Sequence, residues 1–268
     1  MGETIQLNSW EEFEAEMPKI FADVKVRREG APKIYVSDPI FRGHEDASWL
    51  LKTTLERYTD KKFSMEQYHR IMDSVKPTID TFTGKPQYLA DYVEPDPEKF
   101  PAPPPACDYM AYLRHYGFPS PLLDWTRSPY VAAFFAFRPT YRGPREAVAI
   151  YAFVEHYGKG KAWRGGHSEI IGITESCAPT RRHYVQQSEY TICRKPVDSI
   201  YHYWDHEEVF RQEEEDQDRL LKFILPGAEQ KKVLERLAMM NINVLSLFGS
   251  DESLMGWLAY DRIKKRLT

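Results

Sequence analysis

The run Leu122-Leu123-Asp124-Trp125-Thr126-Arg127-Ser128-Pro129-Tyr130-Val131-Ala132-Ala133-Phe134-Phe135-Ala136-Phe137 decides the fold. Gly117, Pro119 and Pro121 stand just before it and rule out a regular element there. Leu122 to Thr126 passes from apolar to polar and reads as a strand end. Ser128-Pro129 is a helix start, a hydroxyl at the N-cap followed by proline in the first turn. Tyr130 to Phe137 is almost wholly apolar, so that helix must be buried. A strand therefore delivers Asp124, Trp125 and Thr126 to the mouth of a core helix. Polar groups fixed to a rigid core are what a binding site requires.

Outward from this run, helices and strands mix without regular βαβ alternation. Ser9 caps a helix with Trp10, Phe13, Met17, Ile20 and Phe21 on one face. Strands are expected at 33–36, 39–44, 147–154, 170–173, 185–193 and 220–225. Asn243 to Phe248 also reads as extended. Helices are expected at 64–76, 108–116, 228–240 and 253–265, and 49–58 reads as extended and then helical. The pattern predicts an α+β fold, with a mixed or antiparallel split sheet flanked by helices, in one domain over 1–268. Residues 93–105 hold six prolines and read as a surface arm. Acid-rich 207–218 reads as solvated.

Composition sets limits. The chain has 268 residues, 42% hydrophobic and 28% charged, with a formal net charge of −4. That excludes a global basic field for nucleic acid. Cys107, Cys177 and Cys193 are odd in number and far apart, which suits reduced thiols in a cytoplasm and gives no zinc spacing. No run approaches 18 apolar residues and the N-terminus lacks a signal pattern, so a cytoplasmic protein with no membrane partner and no metal is expected. Basic residues Lys159, Lys161, Arg164, Arg181 and Arg182 read as solvated loop charges, with a local basic patch as the alternative.

Three places carry possible chemistry. Arg42 at a strand end is able to grip a phosphate, with Gly43 letting a ligand approach the backbone; an ordinary salt bridge is the alternative. Asp124, Trp125 and Thr126 form a second place, where simple helix entry is the alternative. Gln187-Ser188-Glu189 is a third, with Gln187 and Glu189 side by side if the segment is a strand; a polar edge is the alternative.

Several of these residues carry a resemblance. Phe41-Arg42-Gly43-His44, followed by Trp49, Leu55 and Arg57, resembles the Phe-Arg-Gly signature of the FRG domain. His115-Tyr116-Gly117 with Leu122-Leu123-Asp124-Trp125-Thr126 and Ala132-Ala133-Phe134-Phe135-Ala136 resembles that family's central motif. Gln186-Gln187 resembles its third motif, and Asn241 to Ala259 its C-terminal segment, so the likeness spans about 35–260. A remoter resemblance, to Arg–Ser–Glu ADP-ribosyltransferases, lies in Arg42-Gly43, then Asp124-Trp125-Thr126 before Ala132 and Phe135-Ala136, then Gln187-Ser188-Glu189. It departs where Asp-Trp-Thr replaces Ser-Thr-Ser.

The resemblance implies NAD as substrate and transfer of ADP-ribose to a macromolecular acceptor, protein or nucleic acid, in a toxin or a phage-defence effector. It implies Glu189 beside the reacting ribose, Arg42 on a phosphate, Thr126 fixing geometry and Gln187 facing the acceptor. Gly43, His44, Arg57, His115, Tyr116, Asp124 and Trp125 would line the nucleotide, with Trp125 or Tyr116 stacking on a flat ring. The competing expectation is a non-catalytic FRG module that binds a nucleotide, nucleic acid or protein.

Overall fold

The computed structural model describes residues 2–30, 35–95, 104, 106–138, 145–157, 168–173, 181–211, 218–259 and 262–263. Its frame is one mixed sheet of eight strands. These are β1 (Glu3–Gln6), β2 (Ile40–His44), β3 (Leu123–Thr126), β4 (Ala147–Val154), β5 (Glu169–Gly172), β6 (Ser188–Val197), β7 (Ile200–Tyr203) and β8 (Arg219–Pro226). The order across the sheet is β1-β8-β4-β2-β3-β6-β5, and β7 pairs with β6. Only β1 runs parallel to its neighbour, β8; the other pairs are antiparallel.

One joint in this sheet is weak. β4 pairs with β8 over eight residues and with β2 over five, whereas β2 meets β3 in a single pair, Phe41 with Thr126. Beyond that pair the two strands part. The split expected from the sequence is therefore a parting inside a continuous sheet.

Helices α1 (Trp10–Gly30), α5 (Pro129–Phe137), α8 (Gln230–Met239) and α9 (Val244–Phe248) cover one half of one face, over β2, β4 and β8. Trp10, Phe13, Met17, Ile20 and Val24 of α1 are buried at helical spacing, while Phe21 stays largely exposed. In α5 nearly every side chain is buried, as its apolar sequence requires; Phe134 and Phe137 alone contribute about 1.5–3 kcal/mol each by burial. Helices α3 (Met65–Thr83) and α4 (Cys107–His115) cover the other half, over β5, β6 and β7. Ser64 and Gln67 cap α3 reciprocally, which fixes its start. On the reverse face Leu51, Trp125, Tyr151 and Phe153 form a smaller core. The remaining helices are α2 (Thr54–Tyr58), α6 (Arg181–Gln186), α7 (His206–Arg211) and α10 (Asp251–Ala259).

Four expectations change. Tyr35 and Val36 form no strand. Arg181 to Gln186 is a helix, and Gln187 sits in a left-handed turn (φ 48°), so the strand begins only at Ser188. Asn243 to Phe248 is not extended: Asn243 caps α9, its side chain accepting from Ser246 N while Ser246 Oγ accepts from Asn243 N, and that reciprocal pair selects the helix. The short polar strand β1 carries no apolar alternation and was not expected. The proline arm lies mostly outside the described residues, as do Cys177, Lys159, Lys161 and Arg164. Among the described residues no helix is long and apolar enough to cross a membrane.

Candidate functional site

The parting of β2 and β3 is filled by an arginine. Were the ladder continued past Phe41–Thr126, Gly43 would lie opposite Asp124. Instead Arg42 Nη1 donates to the Asp124 carbonyl at 2.6 Å, and Arg42 Nε donates to His44 Nε2 at 3.0 Å. No carboxylate lies within ion-pairing distance of Arg42 among the described residues. Burial lowers its pKa to about 10, with Arg114 and Arg57 adding to that and Asp124 opposing it. The group stays cationic at neutral pH. His44, accepting from that cation and buried, is held neutral, its pKa far below the usual range.

Asp124 is the centre of an arginine cluster. Its Oδ2 accepts from Arg114 Nη2 at 2.5 Å. Arg42, Arg57 and Arg182 also lie within its electrostatic reach. Arg42, Arg57 and Arg182 have no ion-pair partner among the described residues, so four guanidiniums crowd around Asp124, with Glu56 also acting on Arg57. Asp124 Oδ1, Arg114 Nε and Arg182 Nε are buried without hydrogen-bond partners. Such an excess of positive charge, with donors unspent, suits a phosphate or another multiply charged anion.

A neutral network adjoins the cluster. His115 Nε2 lies 2.6 Å from the Tyr190 hydroxyl and His183 Nδ1 lies 3.4 Å from it. Arg182 Nη1 donates to the His115 carbonyl at 3.2 Å. The pKa of His115 falls to about 4, chiefly through burial, and Asp124 opposes the shift.

Glu189 lies on the other side of the sheet. It pairs with Trp125 across β3 and β6, while Asp124 pairs with Tyr190. Side chains alternate along a strand, so Glu189 shares the face of Trp125 and Thr126 takes the opposite one. Arg42, paired with Tyr151 of the same small core as Trp125, starts from the Glu189 face. Glu189 is only 14% exposed and its Oε1 lies 3.2 Å from Arg127 Nε.

The expected residues therefore gather unequally. Arg42, Arg57, Asp124 and His115 come together, and Glu189 faces the same side as Arg42. Tyr116 stands exposed at the end of α4, against Tyr112. Four do not join as expected. Thr126 spends its hydroxyl locally, donating to Gln186 O at 2.7 Å and accepting from Ser128 N at 3.1 Å. Trp125 is a core residue whose Nε1 donates to Thr191 Oγ1 at 2.9 Å, so it offers no stacking surface. Gln187 is exposed in its turn, off the strand, and does not stand beside Glu189. Gly43 turns away from any ligand: a Cβ there would lie 2.0 Å from Ala132 O and 2.6 Å from Ala136 N, so its bareness lets α5 press onto β2.

Sequence reading missed Arg114 as a site residue and treated Arg182 as a solvated charge. Arg182 is half-buried, with its guanidinium 4.5 Å over the Phe248 ring. The available signal was adjacency, since Arg114 precedes the His115-Tyr116-Gly117 motif and Arg182 stands four residues before the Gln186-Gln187 pair.

Comparison with known proteins gives one match. Residues 37–146 fit the family described as the FRG domain, which supports that likeness for the chain. The matched part contains Arg42, Arg57, Arg114 and Asp124; Arg182 and Glu189 lie beyond it. No curated protein and no solved structure matches this chain.

Proposed function

We propose that this chain cleaves NAD at the nicotinamide–ribose bond and transfers ADP-ribose to a macromolecular acceptor. One observation carries the reading. The strands bearing Arg42, Asp124–Thr126 and Glu189 are distant in sequence, yet they lie side by side as β2, β3 and β6, and the sheet opens between the first two. The unpaired Arg42 guanidinium in that opening offers donors to the pyrophosphate, supported by Arg57 and Arg114.

In the reaction the C1′–N bond breaks and its electron pair leaves with nicotinamide, which departs neutral. The ribose takes on oxocarbenium character. Glu189, as carboxylate, stabilises that charge directly or through the 2′-hydroxyl. An acceptor nucleophile bonds to C1′ and gives up its proton to Glu189 or to water. Arg127, which now pairs with Glu189, must yield that oxygen to the sugar; its exposed position allows this. Where water is the nucleophile, the outcome is NAD hydrolysis.

A second reading has its own support. Thr126 is committed to backbone and Gln187 is turned to solvent, so two of the groups the chemistry would call on are missing from the cleft. A non-catalytic module holding a nucleotide by its phosphates needs neither. Nicotinamide release and NAD affinity, measured on wild type and Glu189→Gln, separate the two. The transferase reading expects a fall in release of at least about a hundredfold with NAD affinity kept. Saturable NAD binding with no release from either protein leaves the module.

A further inference from the structure

Around the buried Arg42 lies an outer set of cations, of which Arg57 also supports the pyrophosphate and Arg127 pairs with Glu189 in the reading above. Arg57 lies in the last turn of α2 and is exposed; Arg182 lies on α6; Arg127 follows β3 and is exposed. Beside them stand three tyrosines that a folded core would normally cover. Tyr58 is 78% exposed, Tyr116 77% and Tyr184 66%. Each follows closely on a residue of the cluster or its network: Arg57, His115 and His183. Tyr116 lies near enough to Arg182 to interact with it electrostatically. Charge is thus concentrated locally on a chain whose overall balance is −4. Guanidiniums interleaved with exposed aromatic rings match one kind of partner, a flexible polyanion that carries flat rings.

We propose that this rim binds single-stranded nucleic acid, with Arg57, Arg127 and Arg182 on its phosphates and Tyr58, Tyr116 and Tyr184 stacking on its bases. The identification of this strand as the ADP-ribose acceptor rests on the transferase reading; the binding itself does not. A duplex hides its bases and leaves the tyrosines unused, so single strands are preferred. A peptide acceptor would find little exposed aliphatic surface among these six residues.

The test is fluorescence anisotropy of the full chain with a labelled mixed-sequence oligonucleotide, as RNA and as DNA, without NAD and over a salt series. Three phosphate contacts predict a log–log salt slope of about −2. Arg57→Ala should flatten the slope by about 0.7. Tyr116→Ala, at an exposed position whose loss leaves the core intact, should weaken binding roughly tenfold at every salt without changing the slope. Absent binding at low salt, duplex bound as tightly as single strand, or affinity untouched by both variants overturns the proposal. So does labelled ADP-ribose passing to protein while the oligonucleotide stays unbound. Nicotinamide release is scored separately, so a failure here stays distinct from a failure of the NAD reading.

Discussion

Replacing Asp124 by asparagine keeps the shape of the side chain and removes its charge. Arg114 then loses its partner at 2.5 Å, and Arg42, Arg57 and Arg182 lose a carboxylate that acts on all three. Breaking a fully buried ion pair costs about 3–5 kcal/mol. Here the Asp124 side chain is 34% exposed and water screens part of the repulsion, so about 1–3 kcal/mol is the expected loss. For a chain of this size that lowers Tm by roughly 3–9 °C. The same change makes the cluster a stronger anion trap, so pyrophosphate should bind the variant several-fold more tightly. Ligand at a hundred times its Kd returns about 2.7 kcal/mol, enough to offset most of the loss. Thermal melts of both proteins, titrated with pyrophosphate at constant ionic strength, measure the two halves together. A variant that melts with wild type and gains no more from pyrophosphate would refute the crowding of these arginines around one carboxylate.

Two further outcomes follow from the geometry. Gly43→Ala places a methyl against the backbone of α5, at 2.0 Å from Ala132 O, and should cost at least about 1–3 kcal/mol, read as a lower urea midpoint at unchanged slope. Acid should weaken the fold through His115. Its folded pKa of about 4 lies below the ordinary 6.5, so the unfolded chain binds the proton first. Stability is complete above pH 6.5 and is lost as pH falls, by about 2 kcal/mol at pH 5 and about 3 kcal/mol at pH 4 for this residue. His44 and His183 shift in the same direction, so His115→Gln should remove only part of the slope between melts at pH 5 and pH 7.

Local signals in the sequence located much of the frame. Ser128-Pro129 started α5, and the apolar run 147–154 became β4. Arg42 and Asp124 were legible as polar groups at strand ends. Elements shorter than two turns were less legible, because a cap rather than periodicity defines them. Asn243 and Ser246 decide α9, and one left-handed residue, Gln187, decides where β6 begins. The arginine cluster was hidden for a different reason. Its members come from α2, β2, α4 and α6, each unremarkable in its own stretch. Only the strand order brings them to one carboxylate. Gly43 misled because a bare residue beside a ligand and one beneath a helix look alike until the neighbouring helix is placed.

The single Phe41–Thr126 pair also has a mechanical meaning. It leaves the backbone ladder almost interrupted, with β1, β8, β4 and β2 on one side and β3, β6 and β5 on the other, so side chains such as Trp125 against Phe153 carry the joint. Thr126 clasps Gln186, so α6 and Arg182 belong to the second side, while Arg42 belongs to the first. A molecule held by both arginines is then a rivet across the seam. It adds to a joint where backbone hydrogen bonds contribute little.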